Sequence, residues 1–236
     1  MAAALQAKKL GLKRVYLLDS LSLPWYGGAL KTGFESGARK LGLRLAGTRS
    51  WEGGAASYAA LADRVARARP DGVFLAGISW LGGWDVLQAL RDRLGAHVVL
   101  LGSDTFNYGP VLRDLRSATE GMYIMQQYAP VDALGRAGKR LVREFAATQP
   151  QGTFLGGVPE TIQAVEVLLQ AIARSDGTRR SVLEQLRRTR VEDGVLGSFS
   201  FDAQGDRSPR VITVERVERG RAAFDRFIAV PSTLVP

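Results

Sequence analysis

The sequence predicts an α/β protein built on a doubly wound parallel sheet. Between residues 2 and about 148, short aliphatic or β-branched runs alternate with longer stretches of helical spacing. The intervals between the short runs are long enough for crossover helices, which parallel neighbours require and antiparallel ones do not. After residue 197 the pattern changes to strand-like alternation punctuated by "DAQGD" and "ERGR", which predicts antiparallel strands added to a sheet.

The first strand is "RVYLL". The following "GGALKTGFESGARKLG" places Leu30, Phe34, Ala38 and Leu41 on one helical face and stops at Gly42. "LRLAGT" is the second strand, and a helix over 58–68 carries Leu61 and Val65 inward until Pro70 ends it. "GVFLAG", a helix over 83–94, "HVVLL", a short helix opening at Pro110 and "GMYIMQ" complete five strands. A helix over 133–148 leads to "QPQGTFLGGVP", a glycine- and proline-rich break and the best candidate boundary in the chain. Two helices follow, over 159–174 and 179–189. The first is apolar around most of its circumference (Ile162, Val165, Val167, Leu168, Leu169, Ile172), so it should be buried against something.

Composition narrows the chemistry. With 236 residues, 46% hydrophobic and 23% charged, the chain can bury a substantial core. No apolar run is long enough to span a bilayer, and the start "MAAALQAKKLGLKRV" lacks the central apolar block of a secretory signal. There are no cysteines, which removes disulfides, thiolate metal sites and cysteine nucleophiles. The one histidine, His97, precedes "VVLL" as a strand-entry residue, so a histidine zinc cluster is impossible and a serine triad would have only this base. The net charge of +9 comes from arginines and lysines scattered over nearly every predicted helix, with one crowd between Arg174 and Arg190. No zinc-finger spacing, aromatic RNA-binding block or isolated basic tail accompanies them, and a solvated basic surface is expected rather than nucleic-acid binding.

In an open parallel sheet, ligands bind beyond the carboxyl ends of the strands, where loops converge and helix amino termini point. The segments after the five strands are "DSLSLPWYGG", "RSWEGG", "ISWLGGW", "GSDTFN" and "QQYAP". They contain all four tryptophans, Trp25, Trp51, Trp80 and Trp84. Two readings stand: an aromatic wall for a ligand, or tryptophans anchoring loops on helix ends. Polar groups in the same loops are few, among them Asp19, Ser20, Glu52, Ser79, Ser103, Asp104, Thr105 and Tyr128. An apolar wall with few polar groups suits a small molecule with one charged end. Asp104 is either the partner of that charge or a residue capping the turn after its strand.

Other motifs are weaker. "YGGALKTG" lacks both the P-loop ending and the G-x-G-x-x-G spacing, which disfavours nucleotide binding. "DAQGD" is too short and too poor in acids for a calcium loop and reads as a hairpin turn. Asp19 and Asp104, at the ends of different strands, have the chemistry of an acid pair, but their spacing in sequence does not place them together.

The succession "KKLGLKRVYLLDS", "YGGALKTGFESGARKLG", "ARPDGVFLAG", "VVLLGSDTF", "TEGMYI", "ETIQAVEVLLQAIARS" and "GVLGSFSFDAQGD" resembles the periplasmic solute-binding proteins for branched-chain amino acids and related ligands, over residues 5–228. The resemblance implies the type I periplasmic binding fold: a flavodoxin-like lobe over 1–150 and 209–230, with 158–200 belonging to a second lobe whose amino-terminal part is missing. It implies a receptor that closes on its solute by a hinge and delivers it to the membrane permease of an ABC transporter, in the periplasm or cell envelope, without a cofactor or a catalytic step. By the same resemblance Tyr26 matches the tyrosine before the family's glycine turn. Ser79 and Trp80 match the aromatic position after the third strand of the lobe, and Asp104 matches the acid that takes a ligand's ammonium group; Asp19 and Thr105 complete the expected ligand-side set. The groups that hold a ligand carboxylate would come from the missing part. Half a cleft predicts weak binding by this chain alone, and the uncovered apolar helix predicts self-association. A sensory domain of the same fold, and a flavodoxin-like enzyme, are the alternatives.

Overall fold

The structure is a computed structural model, and it describes residues 1–20, 23–52, 54–150 and 156–234. The chain divides into two compact units, one of Met1–Gln126 with Val214–Pro236 and the other of Gln127–Thr213. The sequence reading draws the sheet-bearing lobe out to residue 150 and back in at 209; the contact boundary falls instead at the end of the fifth strand. Most of the break "QPQGTFLGGVP" lies outside the described residues.

The first unit begins with helix α1 (Ala2–Lys9), then β1 (Arg14–Ser20), α2 (Pro24–Leu41), β2 (Arg44–Trp51), α3 (Ala55–Arg67), β3 (Gly72–Ala76), α4 (Trp84–Leu94) and β4 (Val99–Gly102). The short helices α5 (Gly109–Asp114) and α6 (Arg116–Thr119) lead into β5 (Tyr123–Gln126). In the second unit come α7 (Arg136–Ala146), α8 (Val158–Ala173), α9 (Arg179–Arg188) and a three-stranded sheet of β6 (Arg190–Gly194), β7 (Gly197–Phe201) and β8 (Arg207–Ser208). Strand β9 (Val211–Glu218) then returns to the first unit and pairs with β10 (Arg221–Ala229) across Arg219 and Gly220. Both of those residues have positive φ (54° and 74°), as a two-residue hairpin matching the sheet twist requires.

The large sheet has the order β10-β9-β5-β4-β3-β1-β2, and β1 to β5 are parallel to one another. The expected doubly wound sheet with an antiparallel addition is therefore present. Alternation along the strands feeds two apolar layers. Tyr16 and Leu18 of β1 and Val73 and Leu75 of β3 join Val65, Leu87, Leu90, Leu100 and Met122 in one cluster. Phe74, between Val73 and Leu75, points the other way, and its ring meets Phe34 of α2 at 4.9 Å.

Strand order reverses between β1 and β3: β2 is added on one side and β3 on the other, so the loops leaving β1 and β3 part there and open a crevice. Two glycines bring the crevice walls close. A Cβ on Gly27 would lie 2.7 Å from the Ser20 carbonyl, so glycine lets the start of α2 rest directly on the end of β1. A Cβ on Gly77 would lie 2.5 Å from the Trp51 ring.

Helix α8 departs from its expected burial. Only the stripe Pro159, Gln163, Val167 and Ala171 is buried, while Val165, Leu168, Leu169 and Ile172 are exposed. No helix among the described residues is long and apolar enough to cross a membrane.

Candidate functional site

At the carboxyl end of the sheet, three of the expected residues converge from three adjacent strands. Tyr26 lies in the first turn of α2 after β1, Ser79 follows β3, and Asp104 opens a 3-10 turn, Asp104–Phe106, after β4. The Tyr26 hydroxyl donates to Asp104 Oδ1 across 78 positions of sequence, and the Thr105 amide donates to the same oxygen at 3.1 Å. Burial, followed by the hydrogen bond to Asp104 and its charge, pushes the Tyr26 phenol well above its ordinary range. The phenol thus stays protonated at every physiological pH and holds the carboxylate in one orientation.

A second set of bonds fixes the loops beneath. The Ser79 amide donates to Thr105 Oγ1 at 3.1 Å, and the Ser79 hydroxyl donates to the Thr105 carbonyl at 2.6 Å. The hydroxyls of Ser103 and Thr105 both donate to the Gly77 carbonyl, at 2.7 and 2.9 Å. Ser79 is buried and spends both its donors on Thr105. These two residues tie the β3 and β4 loops together, so that Asp104 and Trp80 emerge from one rigid base.

Asp19 sits at the same end of the sheet but is buried at the end of β1. Its carboxylate accepts the Ser50 hydroxyl and lies 3.5 Å from Lys31 Nζ. The structure therefore joins Tyr26, Ser79, Asp104 and Thr105 in one bonded cluster and places Asp19 in a neighbouring one. No group of acids or histidines among the described residues is arranged to hold a metal ion.

The expected wall of four tryptophans is corrected to two. Trp25 is 73% exposed and Trp80 67%. Trp51, only 1% exposed, lies under Gly77 and donates its indole N–H to the Leu81 carbonyl at 2.9 Å. Trp84 turns inward and packs edge-on against Phe106 at 5.0 Å. For these two the loop-anchoring reading holds. Tyr108, which sequence reading did not single out, is exposed in the Asp104 loop, and its position four residues after the acid is the one signal that pointed to it.

The arrangement offers a half-buried carboxylate, oriented by a phenol and an amide, with exposed indoles carried on the loops beside it. Chemically it can bind a cation next to flat apolar faces.

Comparison with known proteins bears on this geometry. A family profile described as periplasmic binding protein matches residues 1–221. A leucine-binding protein from Thermotoga maritima superposes with a TM-score of 0.80 at 23% identity, over 96% of this chain and 63% of its own. An ABC transporter substrate-binding protein from Desulfitobacterium hafniense in complex with Leu gives a TM-score of 0.75 at 22% identity, over 95% of this chain and 63% of its own. A solute-binding protein of an ABC transporter from R. palustris, in complex with 4-hydroxybenzoate, gives 0.74 at 17% identity, over 97% of this chain and 62% of its own. The chain thus spans less than two thirds of the length of these structures. A comparison with curated proteins gave no match. The profile covers most of the chain and the fold agrees with it, and the chain belongs to the periplasmic binding protein family.

Proposed function

We propose that this chain carries one wall of the ligand cleft of a solute-binding receptor, and that the solute is an amino acid or a related amine with a bulky apolar or aromatic body. The observation that carries this reading is the Asp104 carboxylate, oriented by the Tyr26 hydroxyl and the Thr105 amide where the loops of β1, β3 and β4 meet. A carboxylate held there attracts an ammonium group, and Trp25 and Trp80 offer faces to the body of the ligand. Relatives whose structures contain Leu and 4-hydroxybenzoate support a small solute, and Asp104 favours the one that has an amine.

On this reading no bond is made or broken. The ligand favours a closed form over an open one by touching both walls of the cleft, and closure marks the loaded receptor for the membrane permease of an ABC transporter in the cell envelope. The exposed apolar stripe of α8 belongs to the second lobe. One wall supplies only part of the contacts, so binding to this chain is weak, with Kd on the order of 1 mM.

The test is a titration with leucine and phenylalanine beside their deaminated keto acids and 4-hydroxybenzoate, followed by thermal stabilisation. Stabilisation by the amines alone is expected. Equal stabilisation by the amine-free acids would remove the role given to Asp104.

A further inference from the structure

The opposite end of the same sheet carries a different chemistry. Helices α1, α2 and α3 all finish at the amino ends of the strands, and each finishes in cations: Lys8 and Lys9, then Arg39, then Arg64 and Arg67. The turns into the strands add Lys13, Arg44 and Arg69, and all of these side chains are exposed.

Backbone bonds fasten these turns to one another. The Arg44 amide donates to the Lys13 carbonyl at 2.9 Å, Arg14 and Arg44 are register partners, and the Asp71 amide donates to the Arg14 carbonyl at 2.8 Å. Arg14 Nη2 donates to the Ala68 carbonyl at 2.8 Å, which brings the segment holding Arg67 and Arg69 to the foot of β1. Arg69 itself sits at φ 45°, a left-handed conformation unusual for a residue with a side chain and more so before a proline.

Few acids answer this charge. Asp71 receives the amides of Lys13 and Arg14 on one carboxylate oxygen, Asp63 is paired with Arg93, and Glu35 lies one turn back from Arg39. None of the eight exposed cations takes part in an ion pair among the described residues. Cations at helix ends complement the helix dipole, but Lys13, Arg44 and Arg69 lie outside the helices and gain nothing from it.

We propose that this basic pole is a docking surface for an anionic phospholipid bilayer. The cations are spread over three helix-to-strand segments rather than closed round one point, which fits a plane of charge better than a single anion. Of the exposed aromatics, Trp25, Trp80 and Tyr108 belong to loops at the other end of the sheet or following it, and Phe224 and Phe227 lie on β10, at the sheet edge farthest from β1 and β2, so the cations lack the adjoining stacking faces that single-stranded nucleic acid uses. Lying at the amino ends of the strands, the pole would hold the unit to a membrane while its carboxyl-end loops stay in solution. The proposal is independent of which solute binds at Asp104.

Flotation with vesicles of phosphatidylcholine containing about 30 mol% phosphatidylglycerol tests it, beside pure phosphatidylcholine vesicles and a duplex DNA oligonucleotide. The chain is expected to float with the anionic vesicles only, and to be released when salt is raised from about 50 mM to about 500 mM. R44E/R67E/R69E should lower the bound fraction at least about tenfold, and the milder R44Q/R67Q/R69Q should lower it in part, each with an unchanged melting temperature. R136E/R140E, which alters charge on α7 of the other unit, should leave it unchanged. Failure to float with anionic vesicles at low salt overturns the proposal. So does equal loss in the α7 variant, or tighter binding to DNA than to the vesicles.

Discussion

The two units differ in how completely they bury their apolar surface. In the first, a seven-stranded sheet is covered so that Leu17, Leu18, Leu75, Leu100 and Phe106 are essentially inaccessible. In the second, three helices and a three-stranded sheet leave Val165, Leu168, Leu169 and Ile172 of α8 and Leu183 of α9 open, with Leu169 60% exposed. A closed apolar layer is what makes a loop end rigid enough to hold a site, and the first unit has one beneath its candidate residues. The second has the composition of a core helix without the surface that would complete it.

Truncating a residue in each unit should expose this contrast. Phe106, beneath the Asp104 turn, packs on Trp84 and sits against Gly83 and Gly102. Phe106→Ala should destabilise the first unit by about 3–5 kcal/mol in urea unfolding and also loosen the Asp104 loop. A small effect there would mean the layer is not closed.

The next effect is a pH dependence confined to the first unit. Glu215 of β9 is buried, accepts Asn107 Nδ2 at 2.7 Å, and is pushed above the usual carboxylate range chiefly by loss of solvent. The folded state therefore keeps this proton at pH values where the unfolded state has released it. Its stabilising contribution is complete below the ordinary carboxylate range and declines as pH rises through the raised folded value. Glu215→Gln should gain stability relative to the parent between about pH 4 and pH 7, measured by urea midpoints, and show no gain at lower pH.

The smallest thermodynamic effect belongs to the second unit. Leu169→Ser should change stability by less than about 0.5 kcal/mol, because the side chain loses little on truncation. It should nevertheless weaken concentration-dependent self-association in sedimentation, since it removes part of an exposed apolar stripe. A parent chain that sediments as a monomer at high concentration would contradict that expectation.

Much of this was legible in the sequence. Strand runs separated by helical periods were enough for the parallel sheet, and the position of "GSDTF" after the fourth strand was enough to bring Asp104 to the carboxyl edge of the sheet. The helix α1 was not read, because "AAALQAKK" has weak periodicity; its fit depends on Gly37, where a Cβ would come within 2.9 Å of Ala4. The fates of the tryptophans were equally hidden. Three similar loops carry them, yet Trp51 goes under Gly77 and Trp84 onto Phe106, and these are long-range contacts that residue type alone does not encode. Tyr26 and Asp104 illustrate the same limit, since their bond depends on α2 resting on the end of β1 at Gly27.

The most direct test of the central claim follows the indole N–H resonances of Trp25 and Trp80 while phenylalanine or leucine is added to the parent chain and to Asp104→Asn. The parent should show saturable shifts at both indoles, with a Kd on the order of 1 mM, and Asp104→Asn, which keeps the size of the side chain but not its charge, should weaken binding at least about tenfold. Unchanged binding in Asp104→Asn, or shifts confined to the indoles of Trp51 and Trp84, would contradict the assignment of this carboxylate as the ammonium partner.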